Sequence, residues 1–162
     1  AGAAVLRSEE GTGFLPAAHS DGSRGEALRC RSYLDGAKEW QMSHPEEYQM
    51  QMDGQAVFKF AVRQVPVVIR EVLDKNGLRL EDIDWIILHQ ANRRIVEAVS
   101  RHLQQPLEKF PMNMQEYGNT SSASIPILLD EMNRDQRLQK GQKIILAGFG
   151  AGLTWGASIL EW

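Results

Sequence analysis

Between residues 53 and 76 the apolar positions return every three or four residues. Val57, Ala61, Val65, Val68 and Val72 form one stripe, and Phe58, Phe60, Ile69 and Leu73 widen it. That spacing predicts a helix that is apolar over much of its circumference. Asp53 stands where an N-cap belongs, and Asn76-Gly77 supplies a stop. Pro66 removes one backbone donor midway, which predicts a bend. The period then changes. Trp85-Ile86-Ile87-Leu88 is a continuous apolar run of strand length, the pattern of a strand covered on both faces. Ile95, Val96 and Val99 mark the inner face of a helix over residues 92–103. Ile125, Ile127, Leu128 and Leu129 mark another over residues 122–133, interrupted near its start by Pro126. The stretch KIILAGFGAGLTWGASILEW predicts two strands around a glycine-rich turn. Residues 3–7 predict a further strand, residues 11–25 a strand or loop opening into turns, and residues 30–51 an irregular excursion. Strands alternating with helices give an α/β layered fold.

Composition narrows the classes. The 162 residues are the length of one ordinary domain, and 43% hydrophobic with 24% charged is a globular balance. A net charge of −3 excludes a nucleic-acid binder that relies on bulk positive charge. One cysteine, Cys30, allows no intrachain disulfide and no cysteine-rich metal site. No apolar run approaches the roughly 18 residues of a membrane span. The opening AGAAVLR carries no initiator methionine and reads as a small-residue turn entering a strand, so the sequence is expected to begin in mid-fold.

Several residues invite a chemical reading, and each has an ordinary structural one beside it. His89 follows the buried run, at the carboxyl end of a strand, where α/β ligand sites collect; a single histidine there also reads as a satisfied structural residue. Asn119, in YGNTSSAS, follows a glycine that permits unusual backbone angles, and it also reads as a turn capping the next helix. GFGAG at 148–152 joins two strands. Its spacing fails the dinucleotide pattern, so it is either a tight connection or a bare backbone whose N–H groups serve as an oxyanion hole. Arg93 and Arg94 read as a solvated helix end or as an anion contact. Histidine, asparagine and backbone donors without an acid-base triad favour stabilising a developing oxyanion over hydrolysis.

Four stretches, DGQAVFKFAV, LHQANRRI, EYGNTSSASIPILL and GFGAGLTWG, occur in this order and spacing. Together they resemble the C-terminal half of β-ketoacyl-acyl-carrier-protein synthase III, the initiating condensing enzyme of the thiolase superfamily, and the resemblance covers the whole chain. It implies a thiolase-like layered αβαβα fold of which this chain supplies mainly the C-terminal half. Residues 1–10 would be the last strand of the N-terminal half and residues 11–162 the C-terminal half. The implied reaction is a decarboxylative Claisen condensation of an acyl group, taken from acyl-CoA by a cysteine, with malonyl-acyl carrier protein.

The resemblance also implies roles for individual residues. His89 and Asn119 would be the catalytic pair that stabilises the enolate. Phe149, Gly150 and Ala151 would form the oxyanion and active-site wall, with alanine at 151 where the family usually has glycine. Gly54, Gln55, Phe58 and Ala91 would line the CoA and pantetheine tunnel, with glutamine at 55 where asparagine is common. Gln90, Ala91, Asn92, Arg93 and Arg94 would dock the carrier protein. No metal and no tightly bound cofactor is implied; acyl-CoA and malonyl-acyl carrier protein are substrates. The implied partners are the N-terminal half, which carries the nucleophilic cysteine, a homodimer partner, acyl carrier protein and a coenzyme A thioester, in the cytoplasm, with no nucleic acid and no membrane. Cys30, in LRCRSYL, lacks the turn-to-helix setting that would lower a thiol pKa and is not the expected nucleophile. Two other classes fit the same residues less well: a starter synthase or acyltransferase of secondary metabolism, and a non-catalytic carrier-docking half.

Overall fold

The computed structural model describes residues 1–5, 13–30, 45 and 49–162. Four strands form the main sheet: β1 (Ala17–Ser20), β4 (Trp85–Leu88), β5 (Lys143–Gly150) and β6 (Thr154–Glu161). A separate ribbon pairs β2 (Leu28–Arg29) with β3 (Gln51–Met52). The helices are α1 (Gly54–Lys75), α2 (Arg93–Leu103), the single turn α3 (Met114–Tyr117) and α4 (Ser124–Arg134). The order across the main sheet is β1-β6-β5-β4, with β4 and β5 parallel and the other pairs antiparallel.

Alternation along the central strands sorts side chains to two faces. On one face Ile86, Leu88, Ile145 and Ala147 pack with Ala61, Val65, Val68, Ile69 and Val72 of α1 and with Ile95, Val96 and Val99 of α2. On the other, Ile87 and Ile144 meet Leu128 and Met132 of α4 and Leu138. A strand that must feed both faces has no polar positions left, which is why β4 reads as an unbroken apolar run.

Local chemistry sets the helix ends. The Asp53 carboxylate accepts from the N–H groups of Gln55 (3.0 Å) and Ala56 (2.9 Å), a cap of the kind that contributes about 1 kcal/mol. Asn76 ends α1 and binds the incoming chain: its Nδ2 donates to Leu15 O (2.9 Å) and its Oδ1 accepts from Leu15 N–H (2.8 Å). The α1 helix runs through Pro66 as one element. Its outer stripe is polar. Lys59, Arg63, Arg70 and Asp74 are exposed and only Val67 interrupts them, so the helix is less apolar all round than its composition predicts.

Three expectations need correcting. Residues 3–5 form no strand and are exposed, while residues 6–7 lie outside the described residues. The fourth helix begins at Ser124, two residues later than its period predicts, because Ser121–Ala123 close a 3₁₀ turn first. Pro126 therefore sits in the first turn of α4, where a backbone N–H has no partner to lose, and it does not interrupt the helix. The excursion after Cys30 leaves from β2 and returns at β3, directly beside it; residues 31–44 and 46–48 lie outside the described residues.

Candidate functional site

The parallel β4–β5 pair carries the chain to His89, whose backbone N–H donates to Ala147 O (2.8 Å) and continues the ladder one residue past the strand. This fixes the base of the side chain. The imidazole meets the Phe149 ring edge-on, with centroids 5.5 Å apart and planes at 69°. Its Nδ1 lies 2.7 Å from Ser124 Oγ at the start of α4. His89 lines a cavity of about 630 Å³ together with His19, Ser121, Phe149, Gly150 and Trp155.

Burial lowers the His89 pKa below its ordinary 6.5, because a half-buried ring is poorly placed to carry charge. The imidazole is therefore neutral at pH 7. The unfolded chain takes up a proton below about pH 6.5 that the native ring resists, so this residue costs stability as the pH falls through that value. His89→Asn removes that penalty. In melts of the full-length protein from about pH 7 to about pH 5, the wild type should lose stability relative to the variant as the solution is acidified. A difference between the two that stays constant with pH would count against a depressed pKa.

Asn119 sits just beyond Gly118, which adopts φ +66, a conformation open to glycine. Its Oδ1 accepts from the Ser121 N–H at 3.0 Å. A backbone N–H can only donate, so the amide's other atom, Nδ2, is left to act as a donor. Ser121 itself holds φ 55, an uncommon angle for a residue with a side chain. Asn119 lines a second cavity of about 400 Å³ with Gly54, Gln55, Phe58, Ala91, Arg94 and Phe149. His89 and Asn119 thus border different cavities, and Phe149 is the wall the two share. A pair serving one enolate oxygen would be expected to converge on a single cavity; here Phe149 lines both.

The glycine-rich turn holds its shape by steric need at one position. Gly152 has φ +134, and a Cβ there would lie 3.1 Å from the Thr154 backbone N. Ala151 is not among the residues with positive φ, so alanine is accommodated where the resemblance led one to expect glycine. Its carbonyl accepts from Thr154 Oγ1 (2.9 Å), and the residue is exposed.

The segment after His89 divides. Gln90, expected on a docking surface, is 1% exposed and turned inward: Nε2 donates to Leu88 O (2.8 Å), and Oε1 accepts from Asn113 N–H (3.2 Å). It cannot offer its side chain to a partner, and that expectation is corrected. Asn92, Arg93 and Arg94 are exposed and Ala91 half-buried. Asn92 caps α2 by accepting from Arg94 N–H (2.8 Å), and Arg93 pairs with Glu97 (2.7 Å). The Arg94 guanidinium lies over the Phe58 ring, 5.5 Å from its centroid, beside the second cavity.

Two residues of this region escaped the sequence reading. Ser124 is hidden in a run of small hydroxyl residues. His19 lines the first cavity, stacked on Trp155 with centroids 5.4 Å apart and bonded to Glu71 at 2.6 Å. No sequence signal joins His19 to a site 70 residues away; β1 brings it there by pairing with β6.

A family model described as "3-Oxoacyl-[acyl-carrier-protein (ACP)] synthase III C terminal" matches residues 73–162. A β-ketoacyl-[acyl-carrier-protein] synthase III of Clostridium novyi is 45% identical over 165 residues, covering 100% of this chain and 50% of the relative. One from Porphyra umbilicalis is 52% identical over 113 residues, covering 70% of this chain and 35% of the relative. The solved 3-oxoacyl-[acyl-carrier-protein] synthase III of Aquifex aeolicus is similar in fold at TM-score 0.83 and 37% identity, covering 97% of this chain and 47% of that one. The chain spans at most about half the length of these relatives.

Proposed function

The chain belongs to the 3-oxoacyl-[acyl-carrier-protein] synthase III C-terminal family, and from that premise we propose that it supplies the malonyl-handling half of a β-ketoacyl-acyl-carrier-protein synthase. The observation that supports the reading is that His89 and Asn119 border two cavities that share Phe149 as a lining residue. His89 is uncharged at pH 7, and Asn119 has its oxygen occupied by the Ser121 N–H, which leaves Nδ2 to donate.

The chemistry asks for such donors. In a malonyl thioester the bond between the α-carbon and the carboxylate breaks, CO2 leaves, and the electron pair becomes an enolate with its charge on the thioester oxygen. Donors already aimed at that oxygen favour the transition state over the ground state. Neither donor has to accept or release a proton during the step. The enolate carbon then attacks the acyl thioester held by the nucleophilic cysteine of the N-terminal half. The Ala151 N–H would receive the oxyanion of that tetrahedral adduct, whose collapse expels the thiolate. Phe149, set between the two cavities, would keep water from the carbanion.

The second cavity takes the pantetheine arm, with Gly54, Gln55, Phe58 and Ala91 along it. Arg94, held at its border by Phe58, contacts carrier phosphate or an acidic carrier helix. Asn92 and Arg93 lie at the same helix start and complete that contact. The reading takes the assembled enzyme to be a cytoplasmic homodimer using acyl-CoA and malonyl-acyl carrier protein in fatty-acid initiation.

Arg94→Glu tests the docking part. It should raise KM for malonyl-carrier protein by about tenfold while leaving KM for acyl-CoA nearly unchanged, and salt should weaken the wild-type interaction. Equal losses toward both substrates would contradict a docking role for Arg94.

A further inference from the structure

Behind His89 lies a chain of buried polar residues that the mechanism above does not use. Ser124, the first residue of α4, is 2% exposed, and its Oγ lies 2.7 Å from His89 Nδ1 and 3.2 Å from the backbone N of Gln90. Gln90 is held in turn through Leu88 O and Asn113 N–H. Asn113, 1% exposed, extends the chain by donating from Nδ2 to Glu131 Oε2 at 2.8 Å. The Gln90 side chain is therefore held at both its amide atoms, while its backbone N–H donates to Ser124.

A backbone N–H only donates, so Ser124 Oγ accepts at that contact. The hydroxyl proton then needs an acceptor of its own, and among the described residues the one recorded within hydrogen-bond distance is His89 Nδ1. In the opposite arrangement a protonated Nδ1 donates to Oγ, and the Ser124 O–H is left with no protein acceptor among the described residues, an outcome folded proteins avoid for a side chain this buried. We propose that Ser124 is a positioning residue that fixes the His89 tautomer: it accepts from Gln90 N–H and donates to Nδ1, so the ring proton resides on Nε2. The catalytic consequence rests on the enolate-stabilising reading of His89, whereas the hydrogen bond itself does not. With the proton on Nε2, the ring offers a donor to the enolate oxygen. With the proton on Nδ1, it would turn a lone pair toward a negative charge.

Nitrogen-15 NMR of the full-length protein, labelled at histidine, reads this directly, with the His89 signals assigned by their loss in His89→Asn. At neutral pH the wild type should show Nδ1 as an unprotonated acceptor and Nε2 as a protonated nitrogen. In Ser124→Ala both signals should move toward the mixed tautomers of an unconstrained ring. CO2 release from malonyl-carrier protein should then fall by about tenfold to a hundredfold, the range that loss of an outer hydrogen-bond partner costs at histidine metal sites. Acyl transfer from coenzyme A should be nearly unchanged, and Ser124→Thr, which keeps the hydroxyl, should restore both the signals and CO2 release. A wild-type spectrum with Nδ1 protonated would overturn the proposal without any variant, as would Ser124→Ala with unchanged shifts. Shifts that move as expected while CO2 release stays constant would uphold the tautomer lock and remove the enolate role of His89.

Discussion

His89→Ala or Asn119→Ala in the full-length enzyme is expected to slow CO2 release from malonyl-carrier protein by about 10²–10³, the usual cost of one oxyanion donor. Acyl transfer from coenzyme A onto the nucleophilic cysteine should continue at close to the wild-type rate. The split follows from where charge appears. In the proposed reaction enolate charge develops only in the malonyl step, so donors that serve it would add nothing to the earlier thioester exchange. The double variant should cost less than the product of the two single effects, because the remaining donor cannot hold the oxygen well alone. Acyl-enzyme formation falling as steeply as CO2 release in both variants would defeat this division of labour.

Leu128→Ala carries the largest expected loss of stability. Leu128 is fully buried on α4 and centres the smaller core cluster, against Ile87, Ile144 and Met132. Removing it should cost about 2–5 kcal/mol, part from transfer and part from the cavity left behind. The denaturation midpoint should fall with the slope unchanged. Val67→Ala on the exposed face of α1 is the control and should stay within about 0.5 kcal/mol. The effect reaches the site as well. Ser124 opens α4, so a helix loosened from the sheet also loosens the partner of His89. A Leu128→Ala protein as stable as the Val67→Ala control would show that the smaller cluster does not hold the second face together.

The elements that sequence made legible are those whose signal is local. Asp53 and Asn76-Gly77 bracket α1 with their own hydrogen bonds and backbone angles, so its ends could be placed to a residue. β4 announced itself because both its faces are covered, and β5 and β6 are set by the apolar stretches on either side of their turn. What sequence hid was decided at long range. Gln90 sits among polar residues that do face solvent, and its burial depends on Asn113, 23 residues away. Ser124 looks like its neighbours Ser121 and Ser122 until the fold sets it against His89. His89 and Asn119 were singled out by four motifs acting together; taken by residue type alone, the structural explanation was the better one for each.

The most direct test of the account is the intact mass of the carrier protein after the full-length enzyme is supplied with acyl-CoA and malonyl-carrier protein. The account predicts a carrier bearing a β-ketoacyl group, equal to the malonyl carrier minus CO2 plus the acyl unit. Formation of that species should be lost in Asn119→Ala. A carrier that bears the acyl unit alone, or remains malonylated while acyl-CoA is consumed, would contradict a condensing function.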